Sequence, residues 1–484
     1  MHAAIIVKIL GILLMIFSLL GNAPPLLVSV LYDDGASGAF LKATLVLFVA
    51  GLLLWLATAG RQKELSNRDG FLVVTLFWAV LGTAGCLPFI FSPSVELSIT
   101  DAVFESISGL TTTGATVISG LDELPQSILF YRQLLQWLGG MGIIVLAVAL
   151  LPMLGIGGMQ LYRAESPGPV KDNKIVPRLA ETAKSLWLLY LSLTVVCMLA
   201  YWAAGMSMFD AISHSFSTVA IGGFSTHDAS IAYFDSPLIE FIAVFFMVVA
   251  GINFALHFLA LQKRQLKHYL KDPELQFYTF ILGTVSLITV VVLAADGTYD
   301  SLLEALRRGL FQVVSFATTT GYATADFNSW PLFLPYVLLY AAIIGACAGS
   351  TGGGMKVIRI LLIFKQGFRE VQRLIHPRAI IPIKLGKKVM SDRIVESVWG
   401  FFAVYVMAFM VMLLALLTTG LDIITAFSAV GACINNLGPG LSDVAQTYGA
   451  LPSAAKWILC LAMLLGRLEV FTLLVLFTPM FWKR

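Results

Sequence analysis

The chain has 484 residues, 58% of them hydrophobic and only 12% charged, with a mean hydropathy of +0.88 and a formal net charge of +3. Three soluble domains of ~150 residues would fit that length, but apolar runs of ~20 residues recur from end to end, the length that crosses ~30 Å of hydrocarbon, so a soluble fold is excluded. Five cysteines, Cys86, Cys197, Cys347, Cys433 and Cys460, lie in apolar segments without CxxC or metal spacing and read as small buried hydrophobes.

Taken in chain order, apolar windows bounded by polar, Gly and Pro breaks predict ten crossings, at 3–31, 38–60, 70–92, 126–154, 181–205, 237–262, 275–295, 331–365, 394–420 and 456–481. The first is too long, and too plainly followed by further spans, for a cleaved signal peptide. Four shorter semi-apolar stretches, 99–113, 208–220, 301–319 and 422–436, cannot span and fit re-entrant half-helices. Segments on one side of the membrane, with Lys8 included, carry 24 Lys and Arg against 10 Asp and Glu; the opposite set carries 5 against 17. Basic segments stay in the cytoplasm, so both termini are expected inside and the outer mouth is acidic, a charge that concentrates cations.

The re-entrant segments superpose as SGLTTTGAT (108–116), STVAIGGFS (217–225), SFATTTGYA (315–323) and ACINNLGPG (432–440), aligning Gly114, Gly223, Gly321 and Gly438. A step of 28 residues from each reaches Gly142, Gly251, Gly349 and Gly466. Glycine-rich helix packing explains one or two such matches but not a fixed register. The fold expected is therefore all-α and integral to the membrane: four tandem span, pore-loop, span repeats in pseudo-fourfold arrangement, preceded by two extra transmembrane helices. The expected boundaries are 1–66 for the extra pair, then repeats at 67–160, 161–265, 266–368 and 369–484.

A half-helix entering from outside points its C-terminal carbonyls, with about half a negative charge, at the central axis. The loop after it must present backbone carbonyls in place of an ion's water; glycine permits the φ > 0 this needs, and threonine hydroxyls add oxygens. The candidate filter is Thr111, Thr112, Thr113 and Gly114; Ala220, Ile221, Gly222 and Gly223; Thr318, Thr319, Thr320 and Gly321; and Asn435, Asn436, Leu437 and Gly438. Any single TTTG reads better as a helix cap and turn, and four segments in one register reverse that reading.

The stretches SGLTTTGATV, FYRQLLQWLGGMGI, DAISHSFSTVAIGGFSTHD, TTTGYAT, GACAGSTGGGMKVIR, NNLGPG and GRLEVFTLL together resemble the membrane subunits of the Trk, Ktr and HKT superfamily of potassium transporters, in particular the bacterial TrkH and TrkG type. The likeness spans the full length, including the extra N-terminal pair. It implies a multi-pass protein of the bacterial inner membrane, a homodimer, and a cytosolic TrkA-type ring with nucleotide-binding folds as partner. Glycine at 114 implies K⁺ as the filter ion, and Pro439 after Gly438 departs from a simple potassium filter. No bound organic cofactor, no nucleic acid and no enzymatic chemistry is expected.

The window 331–365 is interrupted by Gly345, Ala346, Cys347, Ala348, Gly349, Ser350, Thr351, Gly352, Gly353 and Gly354, too rich in Gly and Ser for a lipid-facing helix. The resemblance makes this run, with Lys356 and Arg467, a gate below the filter. A phosphate-binding loop would need Lys directly after Gly354, where Met355 stands. Arg467 in mid-span needs polar surroundings; it either projects into the aqueous pore and opposes the ion, as in the family, or pairs with a buried acceptor such as Glu469. Positions i and i+2 do not share a helix face, so Lys356 or a neighbouring helix is the better partner for Glu469. Asn253 and His257 are read as interhelical hydrogen-bonding groups or pore lining, and His214 and His227 receive no role.

The stretch 365–393 carries Lys365, Arg369, Arg373, Arg378, Lys384, Lys387, Lys388 and Arg393 against Glu370 and Asp392. Topological retention and contact with anionic lipid account for it, as does a docking surface for a partner. Two rival functions remain: a proton- or sodium-coupled carrier, which needs an intramembrane carboxylate relay where Glu469 alone lies deep in a span, and a multispan polyprenyl-linked transferase, which needs acidic or His constellations at one interface.

Overall fold

Hydrocarbon offers no water to backbone N–H and C=O groups, so the apolar runs satisfy them internally as helices. The computed structural model describes residues 3–58, 60, 67–142, 179–331 and 333–482. Six helices there are long and apolar enough to cross a bilayer: Ala3–Tyr32, Ser37–Ala57, Arg68–Phe91, Ala183–Ala203, Pro273–Asp296 and Asp392–Leu417. Large side chains such as Leu27, Leu41, Phe241, Phe280, Leu287 and Val411 are exposed on the outside of the bundle, on the surface that lipid covers. All five cysteines are free and buried.

The first two helices pair as a hairpin whose backbones nearly touch. A β-carbon on Gly11 would stand 2.7 Å from the Gly51 carbonyl oxygen, and one on Gly51 would stand 2.6 Å from that of Gly11. Such small-residue crossings gain van der Waals contact that lipid cannot match. The other four spanning helices each open one unit of a pseudo-fourfold array. Each is followed by a re-entrant helix: Ile99–Leu110, Met208–Ala220, Leu302–Ala317 and Ile423–Ile434.

Every re-entrant helix starts on a side-chain cap. Ser98 accepts from the Asp101 amide, Ser207 from Asp210, Ser301 from Glu304, and Asp422 from Ile424 and Thr425. Each cap satisfies amides that a helix start otherwise leaves without partners. The chain is thus an all-helical membrane protein with an extra N-terminal pair, apart from one short antiparallel hairpin, Lys384–Leu385 with Lys388–Val389, in the basic stretch.

The crossings expected from hydropathy need correction beyond the interruption already read at 331–365, because the closing crossings of the second and fourth units are broken as well as that of the third. Gln126–Trp137 passes into a π-helix, Leu138–Gly142, and the rest of that window lies outside the described residues. Pro237–Ala250 and Phe254–Lys263 meet at 90°. Leu334–Ile344 is separated from Val357–Ile375 by the glycine-rich run, and Ser453–Arg467 stops where Glu469 and Val470 take φ of 51° and 53°. The breaks fall at or beside Gly251, Gly349 and Gly466, three members of the second glycine register. Hydropathy averages over such breaks because the residues in them stay apolar, and non-helical backbone at this depth is tolerated where protein encloses it. The basic segments 61–66 and 155–178 lie outside the described residues.

Gly51→Leu is expected to force the N-terminal hairpin apart and destabilise it by about 1–3 kcal/mol. Thermal unfolding of the detergent-solubilised protein checks this, with Gly38→Leu, which meets nothing within 4 Å, as the neutral comparison.

Candidate functional site

The four re-entrant helices end in one repeated turn. Two residues before each aligned glycine, the amides of Thr112, Ile221, Thr319 and Asn436 donate to the carbonyls of Gly109, Thr218, Phe316 and Cys433. The next amides, of Thr113, Gly222, Thr320 and Leu437, donate to Ser108, Ser217, Ser315 and Ala432 at 2.8–2.9 Å. Thr112, Ile221, Thr319 and Asn436 have φ of 57°, 54°, 67° and 52°, and the four glycines have φ of 82°, 80°, 83° and 98°. Three of these left-handed residues are β-branched, which costs about 1–3 kcal/mol each and persists where surrounding structure enforces it.

The turns close on one another in chain order. A β-carbon on Gly114 would fall on the carbonyl oxygen of Gly222, one on Gly223 on that of Thr320, and one on Gly321 on that of Leu437. One on Gly438 would come within 2.7 Å of the Thr113 oxygen, which returns the sequence to its first member. Among the described residues, no donor reaches the carbonyl oxygens of Thr112, Ile221, Thr319 or Asn436. Pro439 leaves this register intact, since its repeat keeps the same bonds and the same signs of φ.

Side chains of the candidate filter also build the turn. The Thr111 hydroxyl donates to Ile107 O and Thr318 to Val314 O, both at 2.7 Å, and each meets a second hydroxyl, Thr113 at 2.7 Å and Thr320 at 2.8 Å. In the fourth repeat Asn435 Nδ2 donates to Gly431 O, also at 2.7 Å and four residues back. Asn436 Nδ2 reaches across to Thr113 Oγ1 at 2.9 Å and to Met463 O at 3.0 Å. Ala220 has no such group. Substitution among Thr, Ala and Asn is therefore tolerated because the backbone geometry is shared.

Beneath the turns runs the loop 345–354, which is hydrogen-bonded to them. Thr351 Oγ1 donates to Val219 O at 3.0 Å, the Gly353 amide to Thr319 Oγ1 at 2.7 Å, and the Gly354 amide to Asn435 O at 3.0 Å. Glycine is required at 353, where a β-carbon would fall on Asn435 O, and at 352, where it would stand 2.8 Å from Thr318 O. The loop's other edge is anchored by Cys347 N to Gly251 O at 3.0 Å, by Phe254 N to Gly349 O at 2.9 Å, and by Ala348 N to Glu274 Oε1 at 2.6 Å. Gly345, Gly349 and Gly354 have φ of 75°, 74° and 76°. Ala346 accepts from the Val357 amide, and Ser350 Oγ donates to Cys347 O. Lys356 Nζ donates to Gly352 O, a loop carbonyl.

Arg467 joins this loop to the first repeat. Its guanidinium donates to Gly139 O at 2.5 Å, Gly140 O at 2.7 Å, and both Thr112 Oγ1 and Thr351 O at 3.3 Å, with the Trp78 ring 5.1 Å away. The partner of Glu469 is Arg359, on the neighbouring helix Val357–Ile375, in line with the neighbouring-helix alternative; Arg359 also lies over the Phe401 ring. His257 bonds Tyr269 Oη and Val249 O, as the interhelical alternative expects, whereas Asn253 caps its own helix, Phe254–Lys263, through Ala255 N.

Several residues at the site went unnoticed in the sequence. Buried Arg132 pairs with buried Glu105 at 2.8 Å and donates to Ser225 O, and Gln136 donates to Gly222 O. Tyr448 Oη donates to Gly438 O at 2.8 Å. Polar residues recurring on one face of an apolar helix, as in FYRQLLQ, were the available signal. His214 is buried between Asp210 O and Ser225 Oγ, whereas His227 ties Asp122 to Asp210 at the outer surface. Burial lowers the His227 pKa, but the two carboxylates outweigh it and hold the imidazole above its ordinary value.

Residues 36–484 match the family described as TrkH, cation transport protein. The chain is 58% identical over 483 residues to the Trk system potassium uptake protein TrkH of Salmonella typhimurium and 57% identical over 484 residues to that of Halomonas elongata, each match covering 100% of both chains. It is 40% identical to the Trk system potassium uptake protein TrkG of Escherichia coli, over 100% of this chain and 99% of that one. The crystal structure of the potassium transporter TrkH from Vibrio parahaemolyticus, 53% identical, superposes with a TM-score of 0.91 over 100% of both chains. With four equivalent turns closing a ring and likeness along its whole length, the chain belongs to the TrkH family of cation transport proteins.

Proposed function

We propose that this chain takes up K⁺ across the bacterial inner membrane, through a filter made of the four glycine turns. The observation that carries the reading is the ring itself: four like turns, each with a left-handed residue whose carbonyl accepts no bond from a described donor. Such oxygens are free to replace an ion's hydration shell, and the C-terminal ends of four helices add negative potential at the same place. The relatives named above are potassium uptake proteins, and they favour K⁺ as the ion.

Outer charge supplies the approach. Four of the five outer basic residues, Arg132, Arg307, Arg308 and Lys456, pair with outer carboxylates. Most of the acidic excess is left to draw cations inward. Below the filter the 345–354 loop and Arg467 form the barrier, and opening requires the loop to give up its bonds to Val219, Thr319 and Asn435. The exposed basic residues Arg378, Lys387 and Lys388 offer the docking face for a cytosolic TrkA-type nucleotide-binding ring, on a homodimer whose termini are cytoplasmic. A proton- or sodium-coupled mechanism is less favoured, because Glu469, the carboxylate it would use, is already bonded to Arg359.

Gly114→Ser is expected to lower K⁺ preference over Na⁺ severalfold, because any side chain there displaces the Gly222 carbonyl. K⁺ and Na⁺ fluxes into liposomes holding the purified protein measure it, and an unchanged ratio would remove Gly114 from the filter. Arg467→Ala removes a cation that opposes the ion by ~1 kcal/mol or more, so K⁺ flux should rise severalfold. A well-folded variant with flux at or below wild type would show that Arg467 is no barrier.

A further inference from the structure

At the carbonyl just before the aligned glycine, one side chain breaks the fourfold symmetry of the ring. Gln136, on the helix Gln126–Trp137, is fully buried. Its Nε2 donates to the Gly222 carbonyl at 2.6 Å, and its Oε1 accepts the Phe224 amide at 3.1 Å. Three residues earlier, Gln133 Nε2 donates to Phe224 O at 3.2 Å. Helical positions three apart share a face, so the two amides lie along one stretch of the second loop. The carbonyls equivalent to that of Gly222 belong to Thr113, Thr320 and Leu437, and no described donor reaches any of them.

The contact also explains a glycine. Gly222 is absent from the positive-φ residues, so backbone conformation does not demand glycine there. The demand comes from Gln136, whose carboxamide occupies the place a β-carbon on Gly222 would take. Thr113, Thr320 and Leu437 carry side chains at the same position. The second loop, AIGG, lacks the hydroxyls that fasten Thr111 to Thr113 and Thr318 to Thr320, and Gln136 supplies the missing fastening from the neighbouring repeat.

We propose that Gln136 is a specificity-setting positioning residue, which fixes the Gly222 quadrant of the ring and thereby the spacing that discriminates between alkali cations. An accepted amide proton both orients the Gly222 oxygen and holds part of its electron density away from a passing ion. The inference rests on the filter reading above and adds a residue that does not touch the ion.

The test uses the full chain reconstituted in liposomes, with K⁺, Rb⁺ and Na⁺ fluxes measured for Gln136→Leu, which keeps the bulk and removes both hydrogen bonds. Losing a bond of ordinary strength should shift the Na⁺ to K⁺ flux ratio by about threefold or more. Gly114→Ser is measured beside it. If Gly114→Ser moves the ratio and Gln136→Leu does not, the role of Gln136 is overturned and the filter stands; if neither moves it, both readings fail. Should Gln136→Leu not fold, Gly222→Ala decides: alone it collides with Gln136 and should depress K⁺ flux, and adding Gln136→Ala should restore flux in part. No recovery in the double variant overturns the proposal.

Discussion

Four carbonyl oxygens occupy the places where four β-carbons would stand, and the rest of the structure accommodates that approach. Gly114, Gly223, Gly321 and Gly438 each admit the backbone of the next repeat. Only glycine allows the contact, and only a closed set of four turns satisfies it at every member. The contact ties each repeat to its neighbour through backbone.

Such a ring is costly to hold. Three β-branched residues at positive φ oppose it. Compensation comes from outside the turn. Thr111, Thr318 and Asn435 fasten it back to its own helix, Arg132 and Glu105 clamp the outer loops of the first two repeats, and the glycine-rich loop bonds it from below. That loop touches the second, third and fourth turns directly and the first through Arg467. A loop bonded this way is coupled to the geometry of the ring above it.

Much of this was legible in the sequence, because backbone constraints are written in glycine. The aligned register at 114, 223, 321 and 438 located the turns and their fourfold relation, and the second register supported the repeat; three of its glycines, Gly251, Gly349 and Gly466, lie at or beside helix breaks. What hydropathy concealed was the breaks themselves, since residues such as Ile252 and Leu468 keep the window apolar while the chain turns. Side-chain roles were less visible. The hydroxyls of TTTG also fasten the turn, and which residue of a neighbouring helix meets Glu469, namely Arg359, carries no spacing signal. Gln136 and Tyr448 lie outside the glycine segments, and their reach to Gly222 and Gly438 depends on helix placement that no spacing rule conveys.

Anomalous scattering from crystals of the protein grown in Tl⁺ or Rb⁺ addresses the central claim most directly. The account predicts a peak on the axis of the ring, enclosed by the carbonyl oxygens of Thr112, Ile221, Thr319 and Asn436. An empty ring with ion density held instead by side-chain carboxylates would contradict it.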